Sequence, residues 1–179
     1  MPPTAPTGHV FIATSLDGFI ARADGGLDWL TGFNAVGEDH GYDAFIAGMD
    51  GICMGRGTFE TVAGFDPWPY HLPVILISRT LQAAQIAPHL ASRVTLAASP
   101  AAALAHAAAQ GWRRLYIDGG ATIRAFMAIG AVQELVISRV PVLLGAGLPL
   151  FGAAAADVAL RHVNTTAFPS GLVQSRYRL

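Results

Sequence analysis

Gly51-Ile52-Cys53-Met54-Gly55-Arg56-Gly57-Thr58 is the stretch whose reading decides the fold. Ile52, Cys53 and Met54 form a short apolar run suited to a buried strand, and Gly55 breaks it. Arg56-Gly57-Thr58 then leads into Phe59-Glu60-Thr61-Val62-Ala63, which can open a helix. A strand, a glycine turn and a helix start together present unpaired backbone N–H groups and the positive end of a helix dipole. Arg56 adds a fixed charge, and the Thr58 hydroxyl can cap the helix or donate to an anion. In outline this is a phosphate cradle. The plainer reading is an ordinary strand–helix turn with a surface arginine.

Two further strand ends of the same kind lie downstream. Pro73-Val74-Ile75-Leu76-Ile77 is a buried strand ending in Ser78-Arg79-Thr80, and Leu115-Tyr116-Ile117 feeds Asp118-Gly119-Gly120-Ala121-Thr122. A helix over 121–129 follows, closed by Gly130. Upstream, His9 to Ala13 reads as a first strand, Ser15-Leu16-Asp17-Gly18 as a turn, and Phe19-Ile20-Ala21 as resumed strand. Asp24-Gly25-Gly26 opens a polar loop ending at Leu27-Asp28-Trp29-Leu30. Tyr42, Phe45, Ile46 and Met49 fall at helical spacing, which puts Asp39 near a helix start.

Val94-Thr95-Leu96 is a shorter strand, and Ser99-Pro100 caps an alanine-rich helix running to Gln110-Gly111. After a strand over 134–140, the segments 158–168 and 172–179 flank Pro169-Ser170-Gly171, the pattern of an antiparallel hairpin. Buried strands separated by helices, then a hairpin, imply a mixed α/β sheet covered on both faces. Ligands of such sheets bind beyond the carboxyl ends of the strands, where the three phosphate-compatible turns fall.

Composition narrows the function classes. The chain has 179 residues, 53% hydrophobic and 13% charged, with a formal net charge of −1. It has no lysine, and its arginines are scattered, so no basic stripe offers a nucleic-acid footprint. Cys53 is the only cysteine and reads as inert packing, and the six histidines stand singly, so no metal site is expected. Gly145-Ala146-Gly147 with Gly152 mimics a dinucleotide fingerprint but has the wrong spacing and is interrupted by Pro149. No stretch is long and apolar enough to span a bilayer, which leaves a cytoplasmic protein as the expectation. Residues 1–8 read as a frayed arm and residues 9–179 as one domain.

Together these pieces resemble the dihydrofolate reductase superfamily, and within it the reductase domain of bifunctional riboflavin-biosynthesis deaminase/reductases. The resemblance rests on Ala13-Thr14-Ser15-Leu16-Asp17-Gly18-Phe19-Ile20-Ala21, Met54-Gly55-Arg56-Gly57-Thr58, Ile77-Ser78-Arg79-Thr80, Ile117-Asp118-Gly119-Gly120, and Pro141 to Phe151, in that order. It implies a three-layer α/β/α fold and NADPH-dependent reduction, most like that of 5-amino-6-(5-phosphoribosylamino)uracil. Reduction of dihydrofolate or of another small imine or carbonyl compound stays open, as does a nucleotide-binding module without turnover.

The resemblance also implies roles for particular residues. Ala13 and Ile20 would flank the nicotinamide, and Gly55, Arg56, Gly57 and Thr58 would hold phosphate. Ser78 and Arg79 would receive the 2′-phosphate, with Gly119, Gly120, Ala121, Thr122 and Ile123 at the pyrophosphate. Asp39 would be the acid, raised in pKa by packing against Trp29 and Phe45; alternatively it only favours a helix start. Asp17, Trp29 and Ser138 would meet substrate. A cis Gly119–Gly120 bond and a homodimer are implied too, with the segment around Leu143 to Phe151 either at the dimer contact or in the core. The chain departs from the pattern at Gly57, where a long side chain is usual, at Asp28 before Trp29, and at Gln133.

Overall fold

The computed structural model describes residues 5–34, 37–152 and 157–179. Its strands are β1 (Thr7–Ser15), β2 (Phe19–Ala21), β3 (Gly51–Gly55), β4 (Val74–Ile77), β5 (Val94–Ala97), β6 (Arg114–Asp118), β7 (Val132–Val140), β8 (Leu148–Pro149), β9 (Arg161–Ala167) and β10 (Val173–Arg178). Its helices are α1 (Asp28–Asn34), α2 (Tyr42–Ile46), α3 (Arg56–Ala63), α4 (Pro100–Ala109) and α5 (Gly120–Ala128). The main sheet has the order β5-β4-β3-β6-β1-β7-β10-β9. Strands from β5 to β7 run parallel, and β10 and β9 are antiparallel additions.

The parallel strands are the buried apolar runs of the sequence. Ile52, Cys53 and Met54 are fully buried, as are Ile75, Leu76, Leu115 and Ile117. Their alternation sends side chains to opposite faces. Val10, Cys53, Ile75 and Ile117 meet Ala103, Ala107, Ile123 and Phe126 from α4 and α5. On the other face, Ile52, Met54, Leu76 and Tyr116 meet Phe45 of α2 and Phe59 and Val62 of α3. Helices therefore cover both faces of the parallel half. The cover stops at β9, whose seven residues are all exposed.

Local rules place the helix ends. The Ser99 hydroxyl accepts the Ala102 N–H at 3.2 Å, capping α4 ahead of Pro100. Burial pushes the Cys53 thiol up to about 12, in keeping with an inert packing role. Three expectations change. Thr7 and Gly8, assigned to the arm, belong to β1, where Thr7 pairs with Arg114. A short helix, α1, stands where the polar loop was expected to end. The Gly119–Gly120 bond is trans; among the described residues the cis bond is Asp66–Pro67. Gly119 makes the turn through a positive φ of 87° instead, a conformation glycine adopts freely.

Candidate functional site

Beyond the carboxyl ends of β3, β6, β1 and β7 lies a cleft of about 1250 Å³. Two helices begin at it, α3 at Arg56 and α5 at Gly120, each with unpaired N–H groups in its first turn. The two starts interlock. A Cβ on Gly119 would strike the Thr58 hydroxyl, and one on Gly55 would lie 2.8 Å from the Thr122 hydroxyl. A Cβ on Gly120 would lie 2.9 Å from Ile20 Cδ1 and 3.1 Å from the Pro149 carbonyl oxygen. Only glycine lets these backbones approach so closely. Gly57, by contrast, faces open space.

Most of the expected cofactor residues meet here. Gly55, Arg56, Gly57 and Thr58 line one side; Gly119, Gly120, Ala121 and Thr122 line the next, with Ala13 and Ile20 beside them. Ile123 does not reach the cleft: its side chain is fully buried in the core. Arg56 is drawn along its own helix, donating from Nε to Glu60 Oε1 at 2.6 Å. Ser78 and Arg79 lie outside the cleft lining, one step past Ile77, which pairs with Gly55 across β3 and β4. The Ser78 Oγ accepts the N–H groups of Thr80 and Leu81. Arg79 is exposed and has no polar partner among the described residues.

The cleft wall next to Gly119 is aromatic and acidic. Asp118, the last residue of β6, accepts the Gly119 N–H at 2.8 Å and the Tyr70 hydroxyl at 3.3 Å. Phe11, Tyr42 and Tyr116 stand around it, with Phe11 and Tyr42 ring centroids 5.6 Å apart and Tyr42 and Tyr116 6.3 Å apart. Burial among these rings raises the Asp118 pKa, against the opposing pull of its hydrogen bonds. The Tyr42 hydroxyl is pushed up to about 12, first by burial and then by the charges of Asp118 and Asp43. Nothing in the one-dimensional pattern marked Asp118 as more than a turn residue. Its tyrosine box comes from α2, β6 and the loop after α3.

The residues expected at the substrate separate. Asp39 lines the cleft but is exposed, and its Oδ1 accepts the Gly41 N–H at 2.7 Å ahead of α2. The apolar packing expected for it is absent, since Phe45 packs on Phe11 and Trp29 on Val140 and Leu172. Trp29 is buried and does not line the cleft. Ser138 does, and its Oγ accepts Gln174 Nε2 at 3.0 Å. Asp17 lies outside the lining and acts as a clamp: it accepts the Ser15 hydroxyl at 2.6 Å, the Leu144 N–H at 3.1 Å and the Gly145 N–H at 2.7 Å. These bonds, Ser15's first, hold its pKa below the ordinary aspartate value.

The clamp fixes the segment around Leu143 to Phe151. β8 pairs with β2 as a separate ribbon over the cleft, and Arg124 Nη1 donates to the carbonyls of Pro149 and Leu150. Leu150 is buried, whereas Leu143, Leu148 and Phe151 are exposed, so the segment is part core and part surface. Among the described residues no group of His, Cys, Asp and Glu could hold a metal ion, and no helix is long and apolar enough to cross a membrane.

Comparison with known proteins agrees with this architecture. A Bacillus subtilis (strain 168) protein, the uncharacterized YwjB, is 34% identical over 162 residues, spanning 89% of this chain and 90% of its own. A crystal structure from Shewanella sp. PV-4, provisionally named a riboflavin biosynthesis protein, is 38% identical with a TM-score of 0.89, covering 96% of this chain and 98% of that one. The Thermotoga maritima diaminohydroxyphosphoribosylaminopyrimidine deaminase/5-amino-6-(5-phosphoribosylamino)uracil reductase superposes with a TM-score of 0.67 at 14% identity, over 97% of this chain and 56% of its own, and speaks to the fold alone. The model of the RibD C-terminal domain matches residues 6–174. The chain therefore belongs to the RibD C-terminal domain family of reductase-like proteins and has its dihydrofolate reductase-like fold.

Proposed function

We propose that this chain is an NADPH-dependent reductase of a small imine or carbonyl compound, of the kind that reduces 5-amino-6-(5-phosphoribosylamino)uracil. One observation carries the reading: two interlocked helix starts open onto a cleft that also holds a desolvated carboxyl, Asp118, next to Gly119. The paired helix starts fit a pyrophosphate. Its N–H groups, the open face at Gly57, and the Thr58 and Thr122 hydroxyls, which have no partner among the described residues, all suit phosphate oxygens. The unpaired Arg79 beyond β4, beside Ser78, suits a 2′-phosphate. NADPH bound there would supply a hydride.

The chain's own residues supply the rest. Ala13 and Ile20 wall the cleft near Gly120 and exclude water from that side. Asp118, whose pKa burial raises and whose carboxyl accepts the Tyr70 hydroxyl and the Gly119 N–H, would be the proton donor in place of the exposed Asp39. Ser138, steadied by Gln174, presents a hydroxyl to the substrate. We also propose a cytoplasmic homodimer, to which the exposed Leu143, Leu148 and Phe151 would contribute apolar contact. The test is NADPH oxidation over a panel of aminouracils and pterins, after NADPH binding has been measured directly. Tight NADPH binding with no oxidation across the panel would favour a binding module over an enzyme.

A further inference from the structure

A row of three side chains crosses the sheet beneath the cleft. Ala13 of β1, Ser138 of β7 and Gln174 of β10 stand in register on adjacent strands, so they share one face of the sheet. Ala13 and Ser138 line the cleft, and Gln174 lies outside the lining. The Gln174 Nε2 donates twice, to the Ser138 Oγ and to the His40 carbonyl, each at 3.0 Å. A carbonyl oxygen can only accept, so the His40 carbonyl decides which way round the Gln174 amide lies. Its nitrogen, and not its oxygen, faces both partners.

The anchor that orients the amide is itself held by the turn between β9 and β10. The Ser170 N–H and hydroxyl both donate to Glu38, at 2.9 and 2.6 Å. The His40 ring packs edge-on against Phe168, with centroids 4.8 Å apart. Glu38 and His40 are thus pinned to the same hairpin that carries Gln174. The consequence falls on Ser138. A free serine hydroxyl rotates to donate or accept as its partner requires. This one has an N–H directed at its oxygen, so its own proton points away from Gln174. Ser138 is buried, at 4% exposure, and a buried hydroxyl proton calls for an acceptor. The space it adjoins is the cleft, beside Ala13.

We propose that Ser138 is the hydrogen-bond donor for an acceptor atom of the substrate, a carbonyl oxygen or an unprotonated nitrogen, and that Gln174 is the positioning residue that imposes this direction. The proposal rests on the reductase reading for the presence of substrate beside Ala13. One test needs no ligand. In Ser138→Cys, the pH dependence of alkylation by iodoacetamide reports the new thiol, while the buried Cys53 stays silent. An N–H aimed at the sulfur favours the thiolate, so the new thiol's pKa should lie about one unit lower with Gln174 present than with Gln174→Met added. The second test titrates 5-amino-6-(5-phosphoribosylamino)uracil, whose ring carbonyls accept, into the NADP⁺-loaded protein by fluorescence quenching. Ser138→Ala should weaken binding by about tenfold. Gln174→Glu should do the same, because a carboxylate takes the Ser138 proton for itself. The two changes together should cost no more than either alone, with NADPH affinity unaltered in all three variants. An unchanged thiol pKa, or a Ser138→Ala protein that binds the probe as the parent does, overturns the proposal. Additive losses, or equal losses for NADPH, overturn it too, since they make Gln174 a merely structural residue. NADPH oxidation separates it from the reading beneath it. A shifted thiol and coupled probe losses without oxidation remove the reductase alone, whereas brisk oxidation with an unshifted thiol removes the imposed direction alone.

Discussion

Replacing Gly119 with alanine tests the interlocked helix starts directly. Gly119 has φ 87° and ψ 131°, a region that side chains rarely enter, and occupying it costs about 1–3 kcal/mol. The new methyl group would also strike the Thr58 hydroxyl, and overpacking of that kind adds about 1–3 kcal/mol. Gly119→Ala should therefore destabilise by about 4 kcal/mol in urea unfolding. In a domain of this size that is a fall in Tm of roughly 8–16 °C. Thr58→Ala alone should cost under about 0.5 kcal/mol, since its hydroxyl has no partner among the described residues. In the double variant only the backbone cost survives, so the two changes should couple by about 1–3 kcal/mol in the restoring direction. NADPH affinity, read in parallel, should fall in Gly119→Ala and recover in part in the double variant. Additive costs, agreeing within about 0.3 kcal/mol, would show that the two turns do not touch as described.

Three further outcomes follow from the site. Arg79→Ala should weaken NADPH binding by about tenfold to a hundredfold while sparing NADH, because a charged hydrogen bond is worth roughly 1.5–3 kcal/mol; equal losses for both cofactors make Arg79 structural. Asp118→Asn should lower turnover by about 10²–10⁴ without loss of Tm at neutral pH, while Asp39→Asn stays near normal. Since the folded pKa of Asp118 is raised, the protonated form and its contribution to stability persist at low pH and are lost as pH rises through that value; a turnover rate flat across that window sinks the assignment. Asp17 is the opposite case: its pKa is depressed, so its clamp holds above the ordinary carboxylate range and loosens as pH falls through the depressed value. Protection factors of the Leu144 and Gly145 amides, taken against the intrinsic exchange rate at each pH, should fall in acid and in Asp17→Ala, and unchanged protection in the variant contradicts the clamp.

The parallel strands were legible because burial on both faces leaves an unbroken apolar run, as in Ile52-Cys53-Met54 and Val74 to Ile77. The Ser99-Pro100 cap was legible because it is written locally. The two-residue strand β8 was not, since it exists only by pairing with β2, more than a hundred positions earlier. Asp17 and Trp29 looked like ligand contacts because a polar or aromatic residue in a loop gives no sign of which way the fold will turn it. Asp17 turned toward the 144–145 amides and Trp29 toward Val140 and Leu172. Asp118 was overlooked for the converse reason. Its perturbation comes from burial that only the tertiary structure creates, with the bonds from Gly119, Tyr116 and Tyr70 pulling the other way.

The place of β1 in the sheet bears on how the molecule comes together during synthesis. The first strand of the chain is central, between β6 and β7, and its partners begin at Arg114 and Val132. As residues leave the ribosome, this apolar strand must wait for more than a hundred successors before either neighbour exists. Strands β3, β4 and β5 lie side by side in sequence order and can associate earlier. The nascent chain thus carries an unpaired edge for most of its production, an exposure that chaperones commonly shield. Ala13 and the Asp17 clamp ride on β1 or just after it, so the cleft closes last, and an incomplete chain should bind no nucleotide.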